Sequence, residues 1–232
     1  MSIWSQLSEF LSGLAMDAFS AVVEAVRTAF EGDPDTRRQV GFSVAIIALS
    51  AKMAKADGVV TPEEVTAFQE IFEVPDEEFD NVARLYNLAR QDVAGYQAYA
   101  QNVKALFPDE PIILEDVMNG LFHIAKADGL YHHGEMGFMD TVARIFEIQG
   151  RDYERIRLRH MEPDGGNPYV LLEANPEWDD ETLKKHFRKL VAENHPDLMI
   201  ARGVPNEFLA IANNRLAEIN NAWDKIKLER EL

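Results

Sequence analysis

The 232-residue chain contains no cysteine, which excludes disulfides, iron–sulfur clusters, thiolate zinc sites and a cysteine nucleophile. It lacks a long apolar run, since its most apolar stretch, residues 41–51, is far shorter than the roughly 20 residues of a spanning helix. Basic residues are few, 23 against 40 acidic ones. The net charge of −17 argues against nucleic-acid binding and against adhesion to anionic lipid.

The N-terminal stretch also lacks the features of a signal peptide. It carries Glu9 and Asp17 where a signal peptide has a cationic start and an uncharged core. We therefore expect a cytoplasmic protein without a transmembrane segment.

Helical periodicity runs along nearly the whole chain, without convincing strand alternation, and predicts an all-α fold. Two prolines and two glycines make residues 161–168 the clearest linker. The first 165 residues carry a net charge of −14, whereas residues 166–232 carry only −3. We expect four parts: an N-terminal amphipathic helix over 1–34, an acidic helical domain over 35–160, a linker over 161–166 and a second domain over 167–232.

An internal repeat lies in the acidic domain. AKADGVVTPEE at residues 54–64 and AKADGLYHHGE at 125–135 share five identical residues, and each has a glutamate seven positions after its aspartate. At the same offset of 71 residues, Phe68 corresponds to Met139 and Ile71 to Val142. Two copies of a helix–turn–helix unit predict a domain of repeated helical hairpins.

The carboxylates of this repeat have two interpretations. Turn chemistry explains much of the motif, because Gly58 and Gly129 suit a left-handed turn at a helix end. Carboxylates at helix ends can also supply oxygen ligands to a hard cation. The residues that would converge on such a cation are Asp57, Glu64, Asp128 and Glu135.

The pair of ADG turns resembles the TerB-like helical domain, which is also the N-terminal helical domain of DjlA proteins, over roughly residues 35–160. Acidic metal sites have been proposed for that family, and the four carboxylates of the repeat are the residues that could form one here. We expect no required cofactor and leave a divalent cation open, beside a structural or partner-docking role for the turns.

The segment KKHFRKLVAENHPD, residues 184–197, concentrates cations in this acidic chain. Asp179 or Asp180 is expected to cap its helix. The apolar positions Leu183, Phe187, Leu190 and Val191 share one face, and the cations Lys184, Lys185, Arg188 and Lys189 cover the rest. Like charges one turn apart cost a few tenths of a kcal/mol. We therefore favour a docking surface for an acidic partner over a merely solvated face.

Pro196 should end the basic helix, because proline cannot continue it and disfavours helical backbone at His195. His195 and Asp197 are then expected in an exposed loop. A second amphipathic helix begins near Asn206, with a packing face of Phe208, Ile211, Leu216, Ile219, Ala222, Trp223 and Ile226.

Two antiparallel helices joined by His-Pro-Asp, after a short NPYVLLEAN helix, resemble a J-domain over residues 167–229. With the TerB-like domain before it, the chain is similar to the DjlA family of DnaJ-type co-chaperones. The resemblance implies a non-enzyme that binds a DnaK-type ATPase chaperone and stimulates its ATP hydrolysis, while the acidic domain selects an unidentified client or partner. It also implies contact residues: His195, Pro196 and Asp197 as the trigger, Lys184 and Arg188 as main positive contacts, and Lys185 and Lys189 as contributors.

The same resemblance implies that Leu183, Leu190, Ala222 and Ile226 hold the hairpin together, and it leaves Phe187 open between core and rim. Leu198 stands where many J-domains have a basic residue. Many DjlA-like proteins carry an N-terminal membrane anchor, whereas residues 1–31 are expected not to span a bilayer.

Three alternatives stay open. The chain could be a TerB-like metal-binding or stress-response module with a vestigial J-domain. An enzyme using His195 with Asp197 is the weaker alternative, since no nucleophile or oxyanion donor accompanies them in the sequence. The N-terminal stripe of Ile3, Trp4, Leu7, Phe10, Leu11 and Leu14 is expected to fold back onto the helical domain, and a homodimer through it is the competing interpretation.

Overall fold

The computed structural model describes residues 3–12, 22, 34–57, 62–91, 95–127, 133–161 and 166–232. All regular structure in these ranges is helical, and they contain no strand. The predicted all-α class is confirmed.

Twelve α-helices are described. They are α1 Ile3–Ser12, α2 Pro34–Asp57, α3 Pro62–Ile71, α4 Phe79–Gln91, α5 Tyr96–Leu106, α6 Pro111–Ala125, α7 His133–Phe146, α8 Arg151–Met161, α9 Pro168–Leu171, α10 Asp180–Glu193, α11 Pro196–Ala201 and α12 Leu209–Arg230. Short 3₁₀ turns at Asp76–Glu78 and Asn206–Phe208 precede α4 and α12.

Helix α2 forms the centre of the helical domain. Residues 42–53 are buried almost without interruption, and the helix packs against α4, α5 and α7. A helix that is apolar on every side can only be stable when other helices surround it. This central position explains why residues 41–51 are the most apolar stretch of the chain.

The internal repeat has the predicted apolar register. Phe68 and Ile71 on α3 are buried, and so are their counterparts Met139 and Val142 on α7. Both α3 and α7 pack against α6. The repeat therefore places equivalent apolar positions in one core, whereas the turns themselves, residues 58–61 and 128–132, lie outside the described residues.

The N-terminal helix α1 packs inside the molecule. The side chain of Trp4 is fully buried and its indole N–H donates to the carbonyl oxygen of Phe72 at 3.2 Å. Leu7, one turn later, is also buried. The predicted intramolecular packing is confirmed at these two positions, while the side chains of the other four stripe residues lie outside the described part of the chain.

The C-terminal hairpin, α10 and α12, is antiparallel. Asp180 at the start of α10 pairs with Arg230 at the end of α12, and Phe187 stacks on Trp223. The partner of Phe187 thus lies seven residues before Arg230, whereas Phe187 lies seven residues after Asp180, which shows that the two helices run in opposite directions. The hairpin has a small core of its own, formed by Tyr169, Leu171, Leu172, Leu183, Ile219, Ala222, Trp223 and Ile226.

The main core extends beyond the helical domain into the C-terminal part. Met199, Val204, Phe208 and Ile211 belong to the same buried cluster as α2 and α6. The expected division at residues 161–166 stays a prediction, since 162–165 lie outside the described residues. The shared core nevertheless joins α11 and the first half of α12 to the helical domain.

Candidate functional site

The basic helix α10 begins at an aspartate cap. Asp179 has extended backbone, and its carboxylate accepts a hydrogen bond from the backbone N–H of Thr182 at 2.7 Å. This bond lowers the pKa of Asp179, because it stabilises the charged carboxylate. Of the two predicted caps, Asp179 is therefore the one that is used.

The cationic face of α10 consists of Lys184, Lys185, Arg188 and Lys189, and all four are exposed. The ammonium of Lys189 lies 3.7 Å from the Glu193 carboxylate. The other three cations have no ion pair with any residue that the structure describes. Their charges thus remain available to an external partner.

The basic helix ends before Pro196, as predicted; its last residue is Glu193, and Asn194 closes it. The buried Asn194 amide donates to the carbonyl oxygen of Leu190 at 2.7 Å. His195 follows with extended backbone at φ −70° and ψ 134°. The expected exposed loop is wrong in one respect, because Pro196 and Asp197 are already the first residues of α11. Proline fits this first helical position, where its missing N–H costs nothing.

The side chains of His195 and Asp197 lie together at the start of α11. The backbone N–H of Asp197 donates to Nδ1 of His195 at 3.3 Å, and an Asp197 carboxylate oxygen lies 3.5 Å from the same nitrogen. Half of the His195 side chain and four-fifths of that of Asp197 remain exposed, 51% and 82%. Both groups can therefore hydrogen-bond to an external partner from the same helix start.

The hairpin core positions this site. The rings of Phe187 and Trp223 stack with centroids 4.8 Å apart and an interplanar angle of 11°. This contact decides the open question about Phe187 in favour of packing. Leu183, Ala222 and Ile226 are buried and Leu190 is partly buried, so these four residues hold the hairpin as the resemblance implied.

Arg230 fixes the far end of the hairpin, a role that sequence reasoning missed. Its guanidinium donates to the Tyr169 hydroxyl at 2.9 Å, the Trp178 carbonyl at 2.8 Å, the Asp180 carboxylate at 3.0 Å and the Pro176 carbonyl. One side chain thus ties α12 to α9 and to the start of α10. A near-terminal arginine carries no sequence signal for this role.

Phe208 anchors the segment after the site to the helical domain. Its ring centroid lies 4.9 Å from that of Phe42, 5.0 Å from Phe72 and 5.8 Å from Trp4. On the next turn, Ile211 reaches Gly120 of α6, where an added Cβ would lie 3.0 Å from the Ile211 methyl group. The absent side chain of Gly120 therefore lets α12 approach α6 closely.

A buried ion cluster lies beside this contact. Arg215 of α12 donates to the Asp116 carboxylate at 3.0 Å and lies 3.3 Å from Glu115, both on α6. Arg155 of α8 also pairs with Glu115, at 3.0 Å. Burial raises the pKa of Asp116 in spite of its arginine partner, so desolvation outweighs pairing at this carboxylate.

A second ion pair joins the same elements. Arg159 of α8 lies 2.7 Å from the Glu218 carboxylate of α12 and donates to the Asn119 amide oxygen at 3.1 Å. We call the set Glu115, Asp116, Arg155, Arg159, Arg215 and Glu218 the docking ion cluster. A sequence signal for it existed, since Arg215 stands between Ile211 and Ile219 on the apolar stripe of α12.

The proposed metal ligands are only partly described. Glu135 is buried on α7, Asp57 ends α2 and Glu64 lies in α3, but the side chains of Asp57 and Glu64 are outside the description, as is all of Asp128. Among the described residues no group of three histidine or carboxylate side chains could hold a metal ion. The divalent-cation site therefore stays a prediction.

Comparison with known proteins gives two kinds of similarity. Residues 43–158 match the family model described as tellurite resistance protein TerB. Co-chaperone protein DjlA of Vibrio parahaemolyticus is 26% identical over 239 residues, covering 85% of this chain and 81% of the relative. DjlA of Coxiella burnetii is 22% identical, covering 78% and 74%, and DjlA of Shewanella oneidensis is 30% identical over 118 residues, covering 46% and 45%. No solved structure gives a significant match.

These relatives correct one expectation. The predicted cytoplasmic location is wrong, because DjlA co-chaperones are known as membrane-anchored proteins. Within the described residues, none of the helices is both long and apolar enough to cross a bilayer.

Proposed function

The chain belongs to the TerB family and is DjlA-like along most of its length, and from that premise we propose that it binds a DnaK-type chaperone and stimulates its ATP hydrolysis. Its similarity to DjlA proteins supports a role in the J-domain co-chaperone family. We assign the contact with the chaperone to the cationic face of α10 and to His195, Pro196 and Asp197.

One observation carries the proposal: His195 and Asp197 are exposed side by side where a helix bearing unpaired cations ends. Nδ1 of His195 accepts the Asp197 backbone N–H, so the ring carries its N–H on Nε2, which can donate to a partner. The Asp197 carboxylate is an acceptor for a cationic or N–H group of the partner. Pro196 fixes the backbone between them, so little ordering is needed on binding.

The cations next to this pair supply attraction at longer range. In a protein of net charge −17, a face with three unpaired cations is a local reversal of sign. Such a face raises the association rate with an acidic surface and orients the encounter. Lys184 and Arg188, one turn apart, would make the main contacts, and Lys185 and Lys189 the flanking ones.

We assign the choice of client or partner to the acidic helical domain. The shared core and the docking ion cluster fasten this domain to α11 and α12. A client held on the helical domain would therefore sit at a fixed distance from the bound chaperone. In this proposal the helical domain binds the client and the hairpin binds the chaperone.

Single-turnover ATP hydrolysis by a DnaK-type chaperone tests the proposal. His195→Asn is the sharpest variant, because asparagine is a good helix cap and keeps the start of α11 while removing the imidazole. His195→Gln removes the imidazole and weakens the cap. We expect both variants to lose stimulation with unchanged helical content by circular dichroism.

A matched control is His133→Gln, which changes an exposed histidine on α7, outside the hairpin. It should stimulate like the unchanged protein. Full stimulation by folded His195→Asn would refute the assignment of the trigger. Absence of stimulation by the unchanged protein would refute the co-chaperone mechanism as a whole.

A further inference from the structure

A pocket of about 160 Å³ opens between α3 and α4, away from the proposed chaperone contacts. Its walls include the rings of Phe68 and Tyr86, with centroids 6.0 Å apart in an edge-to-face arrangement, together with Phe79, Val82 and Ile124. An apolar cavity of about 150 Å³ is large enough to bind benzene. The pocket thus has the volume for one phenylalanine or leucine side chain.

The rim of this pocket is polar and positively charged. Asn87 and Arg90 lie about one turn apart on α4 and both line the pocket, and their side chains are exposed and half-buried, respectively. Arg90 makes no ion pair with the residues that the structure describes. An unpaired guanidinium beside an amide N–H₂ donor is suited to a carboxylate, which can accept from both. Charge complementarity therefore selects an anionic ligand with an apolar part.

A buried hydroxyl also lines the pocket. Ser50 of α2 lines the pocket and is almost fully buried, and its Oγ has no hydrogen-bond partner. Serine hydroxyls inside helices usually bond to a backbone carbonyl one turn earlier. A buried polar atom without a partner is costly and rare in native proteins.

We propose that this pocket binds the C-terminal residue of a polypeptide, a phenylalanine or leucine with a free carboxylate. The apolar side chain fills the space between Phe68 and Val82, and the carboxylate lies at the rim on Arg90 and Asn87. A chain terminus supplies the two groups on a single residue, which matches a pocket lined by both apolar side chains and the Arg90 guanidinium. The helical domain thereby recognises exposed chain ends.

Fluorescence anisotropy with the full-length protein tests the ligand chemistry. The probe is a fluorescein-labelled Gly-Ser peptide ending in phenylalanine with a free carboxylate. Two matched peptides carry the same sequence as a C-terminal amide, or with serine in place of phenylalanine. We expect the amide to bind about tenfold more weakly, the low end for losing a charge-assisted hydrogen bond at a partly exposed site. The serine peptide should show no saturable binding.

Three variants locate the site. Arg90→Gln should weaken the free-acid peptide about tenfold and leave the amide peptide unchanged, because only the acid uses the guanidinium. Ala83→Leu places a larger side chain at the pocket wall on a helix that tolerates it, and should abolish binding of both peptides. Arg84→Gln is the matched control, since Arg84 is exposed on the same helix and does not line the pocket.

Equal affinity for acid and amide peptides would overturn the proposal, and so would an Ala83→Leu variant that binds normally or an Arg84→Gln variant that behaves like Arg90→Gln. Circular dichroism of each variant confirms its helical content. The inference does not rest on the proposed chaperone docking. Arg90→Gln should retain full ATPase stimulation, and loss of stimulation in His195→Asn should leave peptide binding intact.

Discussion

Replacing Arg215 with methionine would remove the central cation of the docking ion cluster. The side chains of Arg215 and Asp116 are 7% and 3% exposed, so solvent cannot compensate the carboxylate that is left behind. Breaking one partner of such a buried pair typically costs about 3–5 kcal/mol. Domains of ordinary stability have about 5–15 kcal/mol in total, so the variant should lose a large share of its unfolding free energy.

A double variant separates two contributions to the free energy of unfolding: the stabilisation by the Arg215–Asp116 pair, and the penalty for a buried carboxylate without a partner. Burial raises the pKa of Asp116 even beside Arg215, which indicates that pairing does not fully offset desolvation. Arg215→Met combined with Asp116→Val should therefore recover most of the lost stability, because these two apolar side chains together fill about the volume of the ion pair and need no charge compensation. Arg157→Met is the control, since Arg157 and Glu154 form a partly exposed pair, 38% and 54%, worth less than about 1 kcal/mol.

Urea unfolding followed by two probes measures these effects. Circular dichroism reports all helices, and fluorescence reports Trp4 in the main core and Trp178 and Trp223 at the hairpin. Coincident transitions are expected in the unchanged protein, because Phe208 and Ile211 belong to the main core. A loss below about 1 kcal/mol in Arg215→Met, or a hairpin that unfolds separately in the unchanged protein, would refute the reasoning.

Three further predictions concern pH, charge and cations. Burial lowers the pKa of His160 from 6.5 to about 3. The neutral ring therefore contributes stability above pH 6.5 that is lost as pH falls, and the free energy of unfolding should drop by up to about 2 kcal/mol between pH 7.5 and 5. In urea titrations, His160→Gln should make the free energy of unfolding less dependent on pH in this range. Reversing Lys184 and Arg188 to glutamate should slow association with the DnaK-type chaperone in stopped-flow binding, and added salt should mimic the change. If the repeat binds Ca²⁺ or Mg²⁺, either ion should raise the Tm. At an ion concentration of 100 times the Kd, the free energy of unfolding should rise by about 2.7 kcal/mol. Asp57→Asn combined with Asp128→Asn should erase the shift in Tm.

Each of these has an outcome that contradicts it. An unchanged acid slope in His160→Gln would mean that other groups set the pH dependence, and the exposed His133→Gln should have no effect in either case. Association that ignores both salt and charge reversal would make the cationic face a solvated surface. A Tm shift that persists in the double asparagine variant would place the cation elsewhere.

Helix ends and apolar helix faces could be predicted from the sequence because they depend on local interactions. The cap at Asp179 and the end of α10 before Pro196 depend on neighbours within a few residues, and each leaves a sequence signal. The apolar registers of α3, α7 and α10 follow from helical periodicity alone. The start of α11 was missed because a Pro-Asp pair suits an exposed loop as well as a first helical turn.

The sequence by itself therefore determined the helical class, the two amphipathic helices on either side of His195 and Asp197, and the cations beside them, because helix formation and helix ends depend on contacts between near neighbours along the chain. Only the tertiary structure decided that Phe208 enters the main core and that Arg215 pairs with Asp116, 99 residues earlier in the chain. A charged side chain on an apolar stripe shows that a partner must exist. It cannot show which of the 40 acidic residues is that partner, since the choice depends on how helices pack in three dimensions.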